Sequence, residues 1–222
     1  MNVRDRLEVI IKEFDRVAIL IDSHTTHSAT RSIEMKIDWH KFQTFFTEIG
    51  RIRCINYYLT VTNVEVDNNE FDPDIDTLKL SSEDKQPWWY TVVNWMSYNN
   101  FNVTLKRGRE FEFSDTNTTG IKTSIDMSIA LDSMNLINVD HVIFVTGNTE
   151  HTEIVKALQS KGIIVTIIGN SHKRIQTAIE HKQLNIGEDR PYPFTVSKRL
   201  IKASNYFIDL LDLAQFIGID DK

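Results

Sequence analysis

Several short runs of residues are apolar almost throughout, and they constrain the fold of this chain more than any other feature. Three of them cover residues 17–21, 142–146 and 163–168. A strand that is hydrophobic on both faces is buried on both faces, which is typical of a parallel sheet covered by helices. The segments between these runs place apolar residues at helical spacing. This alternation predicts an α/β protein with a parallel sheet.

The same periodicities predict the order of the elements along the chain. Strands are expected over residues 16–22, 52–62, 102–105, 110–113, 142–146 and 163–168. Helices are expected over residues 4–14, 39–49, 87–96, 124–134, 149–160 and the closing segment 196–213. The polar stretch 23–31 is expected to be a loop. Because no repeat or linker interrupts the pattern, we expect a single domain over residues 1–222, with its core at about 16–213.

The negative charge of the chain is concentrated in one segment. The formal net charge is −6, from 25 Lys and Arg against 31 Asp and Glu. Residues 65–84 contain eight of the acids and one base, so this segment carries −7 and the remainder carries +1. We expect the segment to be an acidic, solvated insertion. The net charge therefore says little against a nucleic-acid partner.

The composition also excludes several classes of protein. The apolar runs are far shorter than the roughly 20 residues of a membrane span, and residues 1–14 lack the apolar core of a signal peptide. The single cysteine, Cys54, permits no internal disulfide and no Cys-rich zinc site. We therefore expect a cytoplasmic protein without a membrane partner. The sequence leaves open whether the protein forms a homo-oligomer.

Polar residues follow two of the predicted strands, where parallel sheets bind their ligands. Asp22 ends the first strand, and Asn148 and Glu150 follow the strand 142–146; Asp126 lies in the first turn of the helix 124–134. Ionised carboxylates that lie close together are usually held by a hard divalent cation. The same residues could instead cap helices or favour the positive ends of helix dipoles. The spacing alone leaves both interpretations open.

Four motifs in order resemble the NYN domain, a branch of the PIN-like nuclease superfamily. A strand ending in D-x-x-N is matched by residues 22–25, and a K-G-V-D segment before a helix by residues 122–126. The motif S-G-D-S-D-F is matched by T-G-N-T-E-H at 146–151. The closing S-x-x-L-x-x-x-A-D-x-F-I-x-L pattern is similar to residues 197–210. The resemblance covers roughly residues 16–213 and implies a three-layer, parallel-sheet, Rossmann-like fold preceded by a helix.

The resemblance also implies a ribonuclease that depends on Mg²⁺ or Mn²⁺ and has an acidic pocket. Carried over by position, Asp22, Asp126 and Glu150 would bind the metal, and Asn148 would orient water or substrate. RNA phosphates would be neutralised by Lys122 or by the basic cluster of Lys106, Arg107 and Arg109, although this cluster could instead simply cover a surface.

Four positions depart from the family pattern. Thr25 replaces an asparagine, Asn148 and Glu150 each replace an aspartate, and Asn205 replaces the aspartate of the closing helix. An asparagine keeps an oxygen donor but loses a charge, so metal affinity should fall. Asp132 lies six residues after Asp126, about 240° around a helix, and is expected to face away from it.

Three functions are therefore compatible with the sequence. The first is a metal-dependent ribonuclease acting on single-stranded or structured RNA. The second is a catalytically degenerate NYN domain that binds RNA or a protein without cleavage, which the changes at Thr25 and Asn148 favour. The third is a phosphohydrolase for a small molecule, which the same metal chemistry would serve.

Overall fold

In the computed structural model, the chain is described over residues 2–61, 65–66, 78–79, 88–113, 118–184 and 194–219, and the side chains of 65–66, 78–79, 88 and 109–122 lie outside this description. Its strands are β1 (Val17–Asp22), β2 (Ile52–Val61), β3 (Glu65–Val66), β4 (Leu78–Lys79), β5 (Phe101–Arg107), β6 (Arg109–Phe113), β7 (Thr118–Lys122), β8 (His141–Val145), β9 (Ile164–Gly169) and β10 (Tyr206–Asp209). Its helices are α1 (Val3–Lys12), α2 (Ser23–Ser32), α3 (Trp39–Ile49), α4 (Trp88–Tyr98), α5 (Ile125–Met134), α6 (Thr152–Ser160), α7 (His172–Glu180), α8 (Lys198–Ala203) and α9 (Leu210–Ile217).

Six of these strands form a parallel sheet in the order β10-β9-β8-β1-β2-β5. The central strand β1 pairs with β2 on one side and with β8 on the other. Its six residues are all buried. This arrangement confirms the parallel α/β sheet and the N-terminal helix that precedes it.

Helices cover both faces of this sheet, because successive residues of β1 enter two different cores. Val17, Ile19 and Ile21 pack in a core to which α1, α3, α4 and α9 contribute. Ala18 and Leu20 pack in the other core, with residues of α5, α6 and α8. The continuous apolar run of β1 is thus the consequence of burial on both faces. The predicted three-layer architecture is confirmed.

The structure corrects two sequence predictions. The stretch predicted as a loop, 23–31, lies within α2, whose start is stabilised because the Asp22 carboxylate accepts hydrogen bonds from two backbone amides. The closing segment is not one helix, because β10 separates α8 from α9.

The predicted strand 110–113 exists, but it belongs to a separate antiparallel ribbon of β6 and β7. Within the acidic segment 65–84, β3 and β4 are paired antiparallel, and the remainder of the segment lies outside the described residues.

Asp209, at the end of β10, gives the stability a predicted pH dependence. Its carboxylate accepts hydrogen bonds from the backbone amide and the hydroxyl of Ser171. Burial nevertheless raises the pKa of Asp209 to about 6.

Because this pKa is higher in the folded than in the unfolded chain, the folded state binds more protons between about pH 4 and 6. Stability should therefore rise as the pH falls through this window. We expect wild-type protein to gain about 1 kcal/mol relative to Asp209→Asn between pH 7.5 and 5. Urea denaturation of both proteins at each pH measures this difference, and parallel pH profiles would contradict it.

Candidate functional site

The candidate site lies at the carboxyl edge of the sheet, where β1 ends at Asp22. Asp22 is 4% exposed and is the N-cap of α2. Its Oδ1 atom accepts hydrogen bonds from the backbone amides of His24, at 3.1 Å, and Thr25, at 3.4 Å. One of the two carboxylate oxygens, Oδ1, therefore stabilises the start of α2.

The other oxygen of Asp22 accepts from two threonine hydroxyls. Thr25 Oγ1 lies 2.6 Å from Asp22 Oδ2, and Thr146 Oγ1 lies 3.2 Å from the same atom. A carboxylate offers about four positions for hydrogen-bond donors. Two amides and two hydroxyls therefore fill the hydrogen-bonding capacity of Asp22.

Asp22 is connected to Asp126 by a chain of hydrogen bonds. The Thr146 hydroxyl, which contacts Asp22, also lies 2.8 Å from Nδ1 of His151. The other ring nitrogen, Nε2, lies 3.0 Å from Asp126 Oδ1. The structure therefore places the two aspartates at one edge, as the sequence suggests, but separates them with Thr146 and His151.

His151 determines the electrostatic state of Asp126. The ring is 1% exposed and stacks on Phe144, with centroids 4.8 Å apart. Because an ionised carboxylate only accepts hydrogen bonds, Nε2 of His151 is the donor, and because the single proton of the Thr146 hydroxyl is donated to Asp22, Nδ1 of His151 donates to Thr146 as well. The hydrogen bond from Nε2 lowers the pKa of Asp126, and a hydrogen bond from Asn148 adds to the effect. Asp126, whose side chain is 46% exposed, is therefore an ionised carboxylate at the surface of the site.

The loop after β8 is held in place by its own polar atoms. The backbone amide of Asn148 donates to Thr146 Oγ1, and the amide of Gly147 donates to Thr25 Oγ1. The Asn148 side chain donates to Asp126 Oδ1 over 3.3 Å. A Cβ atom at position 147 would lie 2.2 Å from the ring of Phe194, so glycine fits this close approach without any shift of the ring. Asn148 thus orients Asp126, whereas the sequence predicts only that it orients water or substrate.

Other acidic or substituted positions do not join this cluster. Glu150 is exposed, and its backbone amide donates to the side chain of Asn148. Asp132 instead accepts a hydrogen bond from the hydroxyl of Tyr58, as expected for a residue that faces away from Asp126. Asn205 precedes β10 and bonds to the backbone of Val165, so it lies at the opposite, amino edge of the sheet.

The four predicted phosphate-binding residues lie in two places. Lys106 and Arg107 occupy the carboxyl end of β5, and Arg107 is exposed. Two strand spacings separate β5 from β1, about 10 Å. In the ribbon, the backbone register pairs Arg109 with Lys122. The fold therefore brings the backbones of Arg109 and Lys122 together, whereas Lys106 and Arg107 are neighbours in the sequence.

Whether these residues can bind a divalent ion depends on which of their oxygen atoms have a free lone pair. Within the described part of the chain, no group of three or more His, Cys, Asp and Glu residues could hold a metal ion. Asp22 has no further lone pair to offer, but Oδ2 of Asp126 has no hydrogen-bond partner among the described residues. Mg²⁺ is often held by one or two carboxylates, water and substrate phosphates. The residues therefore fit an ion that is held by Asp126 together with a phosphate. Binding of one ion by Asp22, Asp126 and Glu150 together remains a prediction.

Replacing His151 should change the ionisation of Asp126 directly. In His151→Phe, the variant residue is the one that the NYN motif carries here, and it can still stack on Phe144. Because the hydrogen bond from Nε2 is lost, we expect the pKa of Asp126 to rise toward its ordinary value. Carboxyl NMR titration measures this shift. An unchanged pKa would mean that His151 does not control Asp126.

Sequence reasoning missed Thr146 and His151 as members of the site. One signal was available, because a histidine at a motif position that is otherwise phenylalanine places a polar ring where an apolar one is expected. The sequence predicts Thr25 only as a lost metal ligand, whereas in the structure its hydroxyl donates to Asp22 and accepts from the backbone amide of Gly147.

These features define an α/β protein with an acidic, hydrogen-bonded site at the carboxyl edge of a parallel sheet. The family model for the NYN domain matches residues 16–211, and the chain belongs to this family. The NYN domain is part of the PIN-like superfamily, and its members are generally nucleases that act on RNA. No relative among curated proteins matches the chain.

Two solved structures match the chain. A protein of unknown function from Vibrio parahaemolyticus RIMD 2210633 is 18% identical, with a TM-score of 0.57, and the match covers 93% of this chain and 97% of that one. This likeness concerns the fold. A pyrazinamidase/nicotinamidase from Streptococcus mutans UA159 is 14% identical over 76% of this chain and 95% of that one, with a TM-score of 0.29.

Among the residues that the structure describes, every helix is too short or too polar to cross a bilayer.

Proposed function

We propose that this protein is a ribonuclease that cleaves RNA with the help of a divalent cation, Mg²⁺ or Mn²⁺, held at Asp126. The observation that carries this proposal is the state of Asp126. It is ionised, half exposed and fixed through Oδ1, while Oδ2 has no hydrogen-bond partner among the described residues. An oxygen in this state suits a hard cation that also contacts a phosphate.

The residues around Asp126 would keep it in position while RNA binds. His151 and Asn148 both donate to Oδ1, so the carboxylate is oriented from two sides. Asp22 acts further inside, where it holds Thr146 and through it the ring of His151. A bound divalent ion would supply an activated water and neutralise charge on the phosphate.

The basic residues support RNA as the substrate. Arg107 is exposed at the same edge of the sheet, and Arg109 is paired in register with Lys122, three residues before α5 begins. The base of the ribbon is joined to β2 by a hydrogen bond between the hydroxyls of Thr60 and Thr123. Cations at these points can contact the backbone phosphates of a strand that crosses the edge.

The proposal is tested with labelled single-stranded and hairpin RNA, incubated with the purified protein and Mg²⁺ or Mn²⁺. DNA of the same sequence and a chelated sample serve as controls. We expect cleavage of RNA that stops when the divalent ion is chelated. Cleavage that continues at the same rate in the chelator would contradict the role of the ion.

A second candidate function is RNA binding without cleavage. It is favoured by Asp22, whose lone pairs are all occupied by protein donors, and by the neutral side chains of Thr25 and Asn148. In this case RNA would bind with a marked salt dependence and stay intact with either ion. Absence of both binding and cleavage would contradict both candidates.

A further inference from the structure

A cavity of about 610 Å³ opens beside the candidate site. One wall is formed by α2, which begins directly after Asp22 and contributes Ser23, Thr26 and Thr30. The lining also includes Trp39 and Tyr57, which lie outside α2. Small-molecule sites typically enclose about 300 to 1,000 Å³. The cavity is therefore large enough for an organic ligand of the size of a nucleotide.

Ser23 provides an independent indication of a ligand. The residue is 4% exposed and lines the cavity, yet its hydroxyl has no hydrogen-bond partner among the described residues. A buried polar group without a partner costs free energy, and such groups are uncommon in folded proteins. A bound molecule with a polar edge would satisfy this hydroxyl.

Tyr57 places a second hydroxyl group near Ser23. Burial raises the pKa of Tyr57, and the nearby Ser23 hydroxyl offsets part of this rise. The two groups nevertheless do not meet the distance and angle of a hydrogen bond. Ser23 can therefore serve an incoming ligand.

The two groups of lining residues differ in chemistry, and together they suit a flat heteroaromatic ring. Trp39 and Tyr57 meet edge to face, with centroids 5.3 Å apart, and form an aromatic surface. The hydroxyls of Thr26 and Thr30 donate to backbone carbonyls, so both oxygens can still accept a hydrogen bond from a ligand. Arg31 lies at the cavity and is exposed, where a phosphate could reach it.

We propose that this cavity receives one nucleobase of the bound RNA, with the ring against Trp39 and Tyr57 and its polar edge toward Ser23. The inference rests on the proposed action on RNA, and it names the part of the substrate that is recognised. Unstacked bases of single-stranded RNA are commonly held by aromatic side chains and by hydrogen bonds to their edges. The cavity would thus select a nucleotide next to the point of cleavage.

The test measures binding of the four nucleoside 5′-monophosphates to the full chain by calorimetry, with ribose 5-phosphate as the ligand without a base. Ser23→Ala removes the unpartnered hydroxyl. Ser28→Ala is the matched control, because it lies on the same helix, donates to the carbonyl of His24 and does not line the cavity. Arg31→Ala, at an exposed position, tests the phosphate contact.

We expect at least one mononucleotide to bind much more tightly than ribose 5-phosphate. Ser23→Ala should weaken this binding by up to about tenfold, whereas Ser28→Ala should leave it unchanged. Without ligand, the melting temperature of Ser23→Ala should be equal to or above that of wild type, since the variant loses no hydrogen bond. Arg31→Ala should weaken the binding of the mononucleotides, and it should not weaken the binding of the corresponding nucleosides, which are measured in the same way as ligands without a phosphate.

Two results would overturn the inference: no mononucleotide binding at millimolar concentration, or equal binding by Ser23→Ala and Ser28→Ala. Neither result depends on RNA cleavage. If RNA is cleaved but the cavity binds no mononucleotide, only this inference fails. If mononucleotides bind through Ser23 but RNA is neither bound nor cleaved, the base site is supported and the proposed function fails.

Discussion

Asp126→Asn should reduce RNA cleavage by about 100-fold or more while leaving the fold intact. The substitution keeps an oxygen that can accept the hydrogen bonds of His151 and Asn148, so we expect the stability to change by no more than about 1 kcal/mol. It removes the negative charge that would hold a cation and a phosphate together. Removal of one well-placed electrostatic group commonly costs this much in rate.

The matched control is Asp132→Asn, on the same helix. Asp132 accepts a hydrogen bond from Tyr58 and lies outside the cluster, so its variant should cleave RNA at the wild-type rate. Initial rates with saturating RNA, combined with melting temperatures, separate loss of activity from loss of folding. If Asp126→Asn cleaves as fast as Asp132→Asn, the central role of Asp126 is wrong.

Glu150→Gln addresses the remaining predicted metal ligand. The exposed position of Glu150, outside any group of three ligands among the described residues, leads us to expect a small effect. A loss comparable to that of Asp126→Asn would instead support the ligand role that the family resemblance implies.

Patterns that arise from burial were predicted well from the sequence. The apolar run of β1 predicted a strand covered on both faces, and the two cores on either side of it confirm this. By contrast, α2 was predicted as a loop, because a stretch rich in Ser, Thr and His has weak helix propensity. Its helical form depends on the cap at Asp22 and on burial of Ala29 and Thr30, which only the folded chain provides.

The candidate site was predicted in its location but not in its connections. The rule that ligands bind at strand ends placed Asp22 at the carboxyl edge, and the structure brings Asp126 to the same cluster. The sequence could not show that Thr146 and His151 lie between them. Hydrogen bonds between side chains on different elements depend on register and packing, which spacing along the chain does not specify.

Asp22→Ala should destabilise the protein strongly, even with all divalent ions chelated. The substitution leaves the hydroxyls of Thr25 and Thr146 and the first amides of α2 without their acceptor at a buried position. Each buried group that loses its partner costs about 1 kcal/mol or more. We expect a total loss of about 3 kcal/mol, which corresponds to a fall in melting temperature of roughly 10 °C for a chain of this size.

Asp38→Ala is the matched control for this prediction. Asp38 also caps a helix and accepts from two backbone amides, those of His40 and Lys41, and no side-chain hydroxyl donates to it among the described residues. Its loss should cost about 1 kcal/mol, the usual contribution of an N-cap. The difference between the two variants therefore measures the contribution of the two threonine hydroxyls and of burial.

Urea denaturation in chelator distinguishes this positioning role from a metal-ligand role for Asp22. A carboxylate kept mainly to bind a cation would repel its acidic neighbours when the cation is absent, so its removal would leave stability unchanged or raise it. A carboxylate that holds Thr25 and Thr146 in place would instead be needed under the same conditions. If Asp22→Ala costs no more than Asp38→Ala in chelator, Asp22 does not organise the site, and its assignment as a metal ligand becomes the better one.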